Sequence, residues 1–221
     1  VSLGVLRENI LLYDSHGLVA PGRHDLDEQK RFFAQNGPAG YAEALRDADV
    51  FIGLSRGNMV TADMVRTMAG SPVIFALANP FPEITYEEAT AARPDVIMAT
   101  GRSDYPNQIN NVLGFPYIFR GALDVSARGI TEGMKAAAAR ALARLAREAV
   151  PSYLSELYSR PLEFGPDYII PVPFDRRVLV EESSAVAMAA LSEGIAGKTL
   201  SPAEYRTSLE LLSEKLSAGI D

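Results

Sequence analysis

Four short runs of Val, Ile, Leu and Phe punctuate the first hundred residues, at Ile10 to Tyr13, Asp49 to Leu54, Val73 to Ala78 and Asp95 to Ala99. Each is continuous rather than alternating, the pattern of a strand buried on both faces, and this restricts the fold more than any other feature of the chain. Helices are expected between the runs, at Tyr41 to Arg46, Thr61 to Met68 and Tyr86 to Arg93. Strand and helix in such short alternation predict an α/β fold with a doubly wound parallel sheet. Gly70-Ser-Pro and Arg93-Pro-Asp break the chain just before two of the strands, as αβ turns should.

The character changes after Asn111. An alanine-rich helix is expected over Thr131 to Glu148, opened by Thr131 and carrying Arg140, Arg144 and Arg147 late, where they complement the helix dipole. Pro151 stops it, a proline-rich loop follows from Phe164 to Asp175, and two more helices are expected at Arg177 to Gly194 and Pro202 to Leu216.

Composition removes several classes of function. A net charge of -7 with scattered Lys and Arg weighs against nucleic acid as a partner. With no cysteine there is neither a disulfide framework nor a thiolate zinc site. No run of apolar residues is long enough for a membrane span and no signal peptide is visible, so a cytoplasmic location is expected. Val1 to Asn9 reads as the last turn of a helix with Gly4 as its stop, so the natural start is expected upstream.

In an open parallel sheet ligands bind outside the carboxyl ends of the strands. The first run ends in Asp14, and an acid there can accept from the hydroxyls of an adenine ribose, although Asp before Gly17 also suits a plain turn. Such an acid lies roughly 20 residues beyond a glycine-rich phosphate loop. Only thirteen residues precede Asp14, so the first strand and the glycine loop are expected to be missing from this chain. Gly53 and Gly57 flank Ser55 and either let backbone approach a cofactor or serve a tight βα turn. Asn79 before Pro80 either starts a turn or presents an amide to a carboxylate or a nicotinamide. Of Asn110 and Asn111, one can cap a helix and the other then needs a partner. His16 and His24 read as solvated, and Lys30 with Arg31 as a helix face.

Ile10-Leu-Leu-Tyr-Asp-Ser-His-Gly, Ala48-Asp-Val-Phe-Ile-Gly-Leu-Ser, Phe75-Ala-Leu-Ala-Asn-Pro-Phe-Pro-Glu and Thr100-Gly-Arg-Ser-Asp-Tyr-Pro-Asn-Gln-Ile-Asn-Asn-Val-Leu-Gly-Phe-Pro resemble the malic enzymes, particularly the bacterial branch. The resemblance implies a Rossmann-like dinucleotide-binding domain, incomplete at its N-terminus, over residues 1–150, and a C-terminal loop with helices over 151–221 packing on it. It implies oxidation of L-malate with NADP or NAD and decarboxylation to pyruvate and CO2 with Mg2+ or Mn2+. On it, Asp14 contacts the adenosine ribose, Gly53 and Ser55 line the cofactor channel, Asn79 touches nicotinamide and substrate, Asn110 holds the cofactor and Asn111 the malate carboxylate.

The family's tyrosine acid, lysine base, carboxylate metal ligands and glycine loop are all expected upstream of Val1. No catalytic or metal-ligating residue is therefore assigned in this chain, which alone is expected to be inactive, and Tyr105 and Lys135 are not moved into those roles. Asp14 alone favours NAD, but Lys30 falls near a lysine of NADP-using relatives and His16 or Arg23 could help neutralise a 2′-phosphate, so the balance leans slightly to NADP. The resemblance further implies a homo-oligomer and, in many bacterial relatives, a phosphotransacetylase-like domain beyond. Two other readings stay open: the cofactor domain of an amino-acid dehydrogenase, and a non-catalytic nucleotide-binding or oligomerisation module.

Overall fold

Parallel pairing organises the first part of the chain. In the computed structural model, which describes residues 3–218, β1 (Tyr13–Asp14) and β2 (Gly17–Leu18) form a small antiparallel hairpin, followed by α1 (Glu28–Phe33) and α2 (Tyr41–Ala44). Then come β3 (Val50–Gly53), α3 (Ala62–Arg66), β4 (Val73–Ala76), α4 (Tyr86–Ala92) and β5 (Ile97–Thr100). The last three strands lie parallel in the order β3-β4-β5, with Gly53 opposite Ala76 and Ala76 opposite Thr100. Their carboxyl ends are thus level, and the loops leaving them share one edge.

Local chemistry starts the helices where the sequence places them. The Thr61 hydroxyl accepts from the Met64 amide at 3.3 Å, and Thr85 makes a reciprocal capping box with Glu88. Ile74, Ala76 and Met98 on one sheet face pack with Leu45, Val65 and Ala89 from the helical side. Ile74 is fully buried, and its truncation to Ala would cost about 2–5 kcal/mol.

One expectation needs correction. The run Ile10 to Tyr13 does not join the parallel sheet, because Gly17, at φ +96°, lets the chain double back so that Tyr13 pairs with Leu18. The helices of the first core cluster lie on the Ile74 side; on the other face Val50 and Ile52 of β3 are 51% and 58% exposed, whereas Ala99 of β5 is fully buried.

Contacts divide the chain into a first unit ending at Gly101 and a second beginning at Arg102. The second holds a 3-10 turn at Asn111–Leu113, then α5 (Phe115–Asp124), α6 (Glu132–Leu145), α7 (Ser152–Leu157), α8 (Arg177–Ser192) and α9 (Pro202–Ala218). Helix α8 is central, with Val178, Val186, Ala187 and Ala190 fully buried and neighbours on α5, α6 and α9. At Gly121 a side chain would meet the Ser183 carbonyl at 2.5 Å, so glycine sets the close approach of α5 and α8. Residue 150 falls inside this unit, since α6 packs directly on α8.

Candidate functional site

The hairpin turn delivers Asp14 into a cluster of cations. Its carboxylate accepts from both terminal nitrogens of Arg23 at 3.0 Å, from Lys30 Nζ at 2.8 Å and from the His16 amide at 2.9 Å. Arg23 reaches Asp25 with its other edge, and His16 Nδ1 lies 3.3 Å from Asp25 Oδ2. The Arg23 guanidinium, with Lys30 behind it, holds the Asp14 carboxyl well below the usual carboxylate range. Asp27 caps α1 by accepting from the Lys30 amide, which fixes the turn from which the lysine extends.

At the level strand ends a buried acid ties two loops together. Glu83, 1% exposed, accepts from the Ser55 amide with Oε1 and from the Ala78 amide with Oε2, both at 3.1 Å. A Cβ on Gly53 would stand 2.5 Å from Oε1 and 2.7 Å from Oε2, so the room that glycine leaves in β3 is filled by this carboxylate. Gly57 likewise admits the backbone of Phe81. Asn79 follows β4 through a cis bond to Pro80, with its side chain exposed beside Gly101 at the end of β5.

In the second unit the adjacent asparagines divide their work. The Asn110 side chain caps the 3-10 turn by accepting from the Val112 amide at 3.0 Å, whereas the exposed Asn111 amide makes no hydrogen bond among the described residues. Asn107, buried at φ +53°, donates to the Pro166 carbonyl at 2.6 Å and accepts from the Ile169 amide at 2.8 Å, so it fastens the segment before the pair to the proline-rich loop. A cavity of about 250 Å3 beside it is lined by Tyr105, Tyr158 and Tyr168, and neither Asn110 nor Asn111 reaches it.

The structure thus brings Asp14 together with Lys30, and Gly53 with Ser55 around Glu83. A family model described as the malic enzyme NAD binding domain matches residues 2–158. The chain belongs to the malic enzyme family. It is 52% identical over 207 residues to the NADP-dependent malic enzyme of Halomonas elongata, covering 93% of this chain and 49% of the relative. It is 50% identical to the NAD-dependent malic enzyme of Rhizobium meliloti, covering 90% of this chain and 26% of that one. The crystal structure of the Entamoeba histolytica malic enzyme superposes with a TM-score of 0.80 at 35% identity, over 95% of this chain and 43% of that one. The chain therefore spans half or less of the length of these malic enzymes. The fold is the Rossmann-like α/β arrangement expected from the sequence, and the family model it matches is that of an NAD binding domain.

A divalent metal does not fit the donors at hand. Among the described residues one group of three metal-capable side chains converges, Asp14, His16 and Asp25. Its carboxylates already serve the Arg23 guanidinium and the Lys30 ammonium, whose charge repels a cation.

Sequence reasoning passed over Glu83 and Glu182. Glu83 sits in the Asn79-Pro-Phe-Pro-Glu stretch, where an acid between a strand end and a helix cap was a visible signal. Glu182 lies four residues from both Val178 and Val186, a spacing that puts it on the buried face of α8, and it is fully buried. Neither of its oxygens has a hydrogen-bond partner among the described residues, and burial pushes its carboxyl up to about 8.

Proposed function

We propose that this chain is the cofactor-binding part of an enzyme that oxidises L-malate with NADP, or less well with NAD, and releases pyruvate and CO2. The nicotinamide ring supplies the acceptor for the hydride taken from malate. The residues here bind and orient: Asp14, Arg23 and Lys30 at the adenosine end, Gly53 and Ser55 along the channel, and Asn79 with Asn110 toward the nicotinamide. The amides of Asn79 and Asn111 hold the malate carboxylate without placing another formal charge beside the reacting carbon.

One observation carries this reading. Capping by Asn110 leaves the neighbouring Asn111 amide exposed and without a hydrogen-bond partner among the described residues, as a substrate-holding group should be. The preference for NADP is supported by two cations gathered within hydrogen-bond reach of the residue expected at the ribose. Acid, base and metal ligands are, on this reading, not among the residues of this chain. A homo-oligomer, a further phosphotransacetylase-like domain and a cytoplasmic location belong to the same proposal, and no helix among the described residues is long and apolar enough to cross a membrane.

Steady-state malate oxidation by the full-length protein, with each nucleotide and with or without Mn2+, tests it. Mn2+-dependent reduction that is faster with NADP is expected. Malate oxidation that persists in a metal chelator would overturn the reading.

A further inference from the structure

The dinucleotide contacts assigned to Ser55 and Asn79 come from two different loops. Nothing in the chain path forces these loops to a common spacing, since one leaves β3 and the other leaves β4. What joins them is a lattice of contacts converging on Glu83. Its two carboxylate oxygens take one amide from each loop, at Ser55 and at Ala78, the residue before Asn79. Backbone bonds from Asn58 to the Pro82 carbonyl and from Val60 to the Glu83 carbonyl, both 3.0 Å, close the same gap.

The glycines of the first loop are shaped to this acid and its neighbours. A side chain on Gly53 would collide with both Glu83 oxygens, and one on Gly57 would meet the Phe81 carbonyl at 2.7 Å. A carboxylate at the end of a flexible side chain could ordinarily swing aside. Here that would leave the buried Ala78 amide without its acceptor and give the part-buried Ser55 amide over to solvent, so both loops would lose their common anchor. The position is over-determined, as expected of a group that holds a site in register.

We propose that Glu83 is a positioning residue of the dinucleotide site: by sharing one carboxylate between the Ser55 and Ala78 amides, it sets the spacing at which Ser55 and Asn79 meet the cofactor. The inference rests on the reading that these two residues face the dinucleotide. Glu83 itself touches neither cofactor nor substrate; it acts through the backbone of its two partners. Gly53 acts through Glu83, so substitution at either position perturbs the same contact.

The test uses the full-length protein, three single variants, Glu83→Gln, Gly53→Ala and Asn79→Ala, and the double variant of the first two, with dinucleotide affinity measured by fluorescence titration and folding by the thermal midpoint. Glu83→Gln turns an NH2 group toward one of the two amides, and Gly53→Ala crowds the carboxylate from behind. Each is expected to weaken dinucleotide binding about tenfold while keeping a cooperative melt, and the double variant to be little worse than either single one. Lowered thermal midpoints with unchanged affinity would overturn the proposal, as would failure of both Glu83→Gln and Gly53→Ala to fold. If Asn79→Ala weakens binding and Glu83→Gln does not, the positioning role alone is wrong. If Asn79→Ala has no effect on dinucleotide binding, the underlying assignment of the loops is wrong.

Discussion

Lys30 Nζ donates to Asp14 Oδ2 at 2.8 Å, so the side chain suited to a 2′-phosphate and the side chain suited to a 2′-hydroxyl already bind each other. A cofactor with a free 2′-hydroxyl needs to take the place of just one of the four donors that Asp14 already accepts from. One carrying a phosphate needs the lysine to turn from the carboxylate toward the new anion, with Arg23 still neutralising Asp14. Lys30→Ala is therefore expected to weaken NADP about tenfold and NAD hardly at all, as for loss of one charge-assisted bond. Titration of each nucleotide against both proteins checks this. A parallel loss of both would make the lysine a structural clamp on Asp14.

Glu182 gives the protein a stability that depends on pH. Its carboxyl is raised from 4.5 when unfolded to about 8 when buried in α8. Below the lower value both states are protonated and no penalty arises. Between the two values the unfolded chain ionises while the native one stays neutral, so stability falls as pH rises, by on the order of 4 kcal/mol across the window. Denaturant unfolding of the parent at pH 5 and pH 8 should show that decline. In Glu182→Gln it should be largely absent, with the variant the more stable at pH 8.

The division of labour between the asparagines separates their variants. Asn111→Ala is expected to raise the malate requirement and lower turnover, by roughly tenfold in kcat/KM for one lost bond to a carboxylate, with the thermal midpoint unchanged. Asn110→Ala removes the acceptor for the Val112 amide and should cost about 1 kcal/mol of stability. Kinetics and melting on both variants read the difference, and equal malate kinetics in Asn111→Ala and the parent would remove that residue from the substrate site.

Asn107 offers a test of the second unit. Replacing it by Ala removes the bonds to Pro166 and Ile169 and leaves a Cβ residue at positive φ, with an expected loss of about 2–4 kcal/mol. Asn107→Gly loses the same bonds without the backbone strain and should be the less damaged of the two by urea midpoint.

Much of the architecture was legible because it follows from local chemistry. Continuous apolar runs identified β3, β4 and β5, and Thr131 announced its helix as a cap. Helix α5 went unseen because Pro116 reads as a breaker in sequence, whereas in its first turn the missing amide has no helical partner to lose. The first apolar run misled for a different reason: strand pairing is a property of neighbours, and Ile10 to Tyr13 finds its partner across the turn at Gly17. Asp14, Ser55 and Asn79 stood out as polar groups straight after apolar runs, and the asparagine pair because only one of two neighbours can cap a helix. Glu83 and Glu182 did not, since a buried acid is recognised by what surrounds it in space, and those surroundings come from segments far apart in the chain.

Strand β3 has a hydrogen-bonded neighbour on one side only among the described residues, and Val50, Ile52 and Leu54 line it with exposed apolar groups. Unsatisfied backbone bordered by such side chains is a template on which another extended chain can lay itself down. Preparations of this segment by itself should accordingly thicken into β-rich aggregates as concentration rises, at a rate set by how often two copies of β3 meet. A single Ile52→Lys substitution, by putting like charges on every copy, should slow that growth and leave the helical side of the sheet as it was.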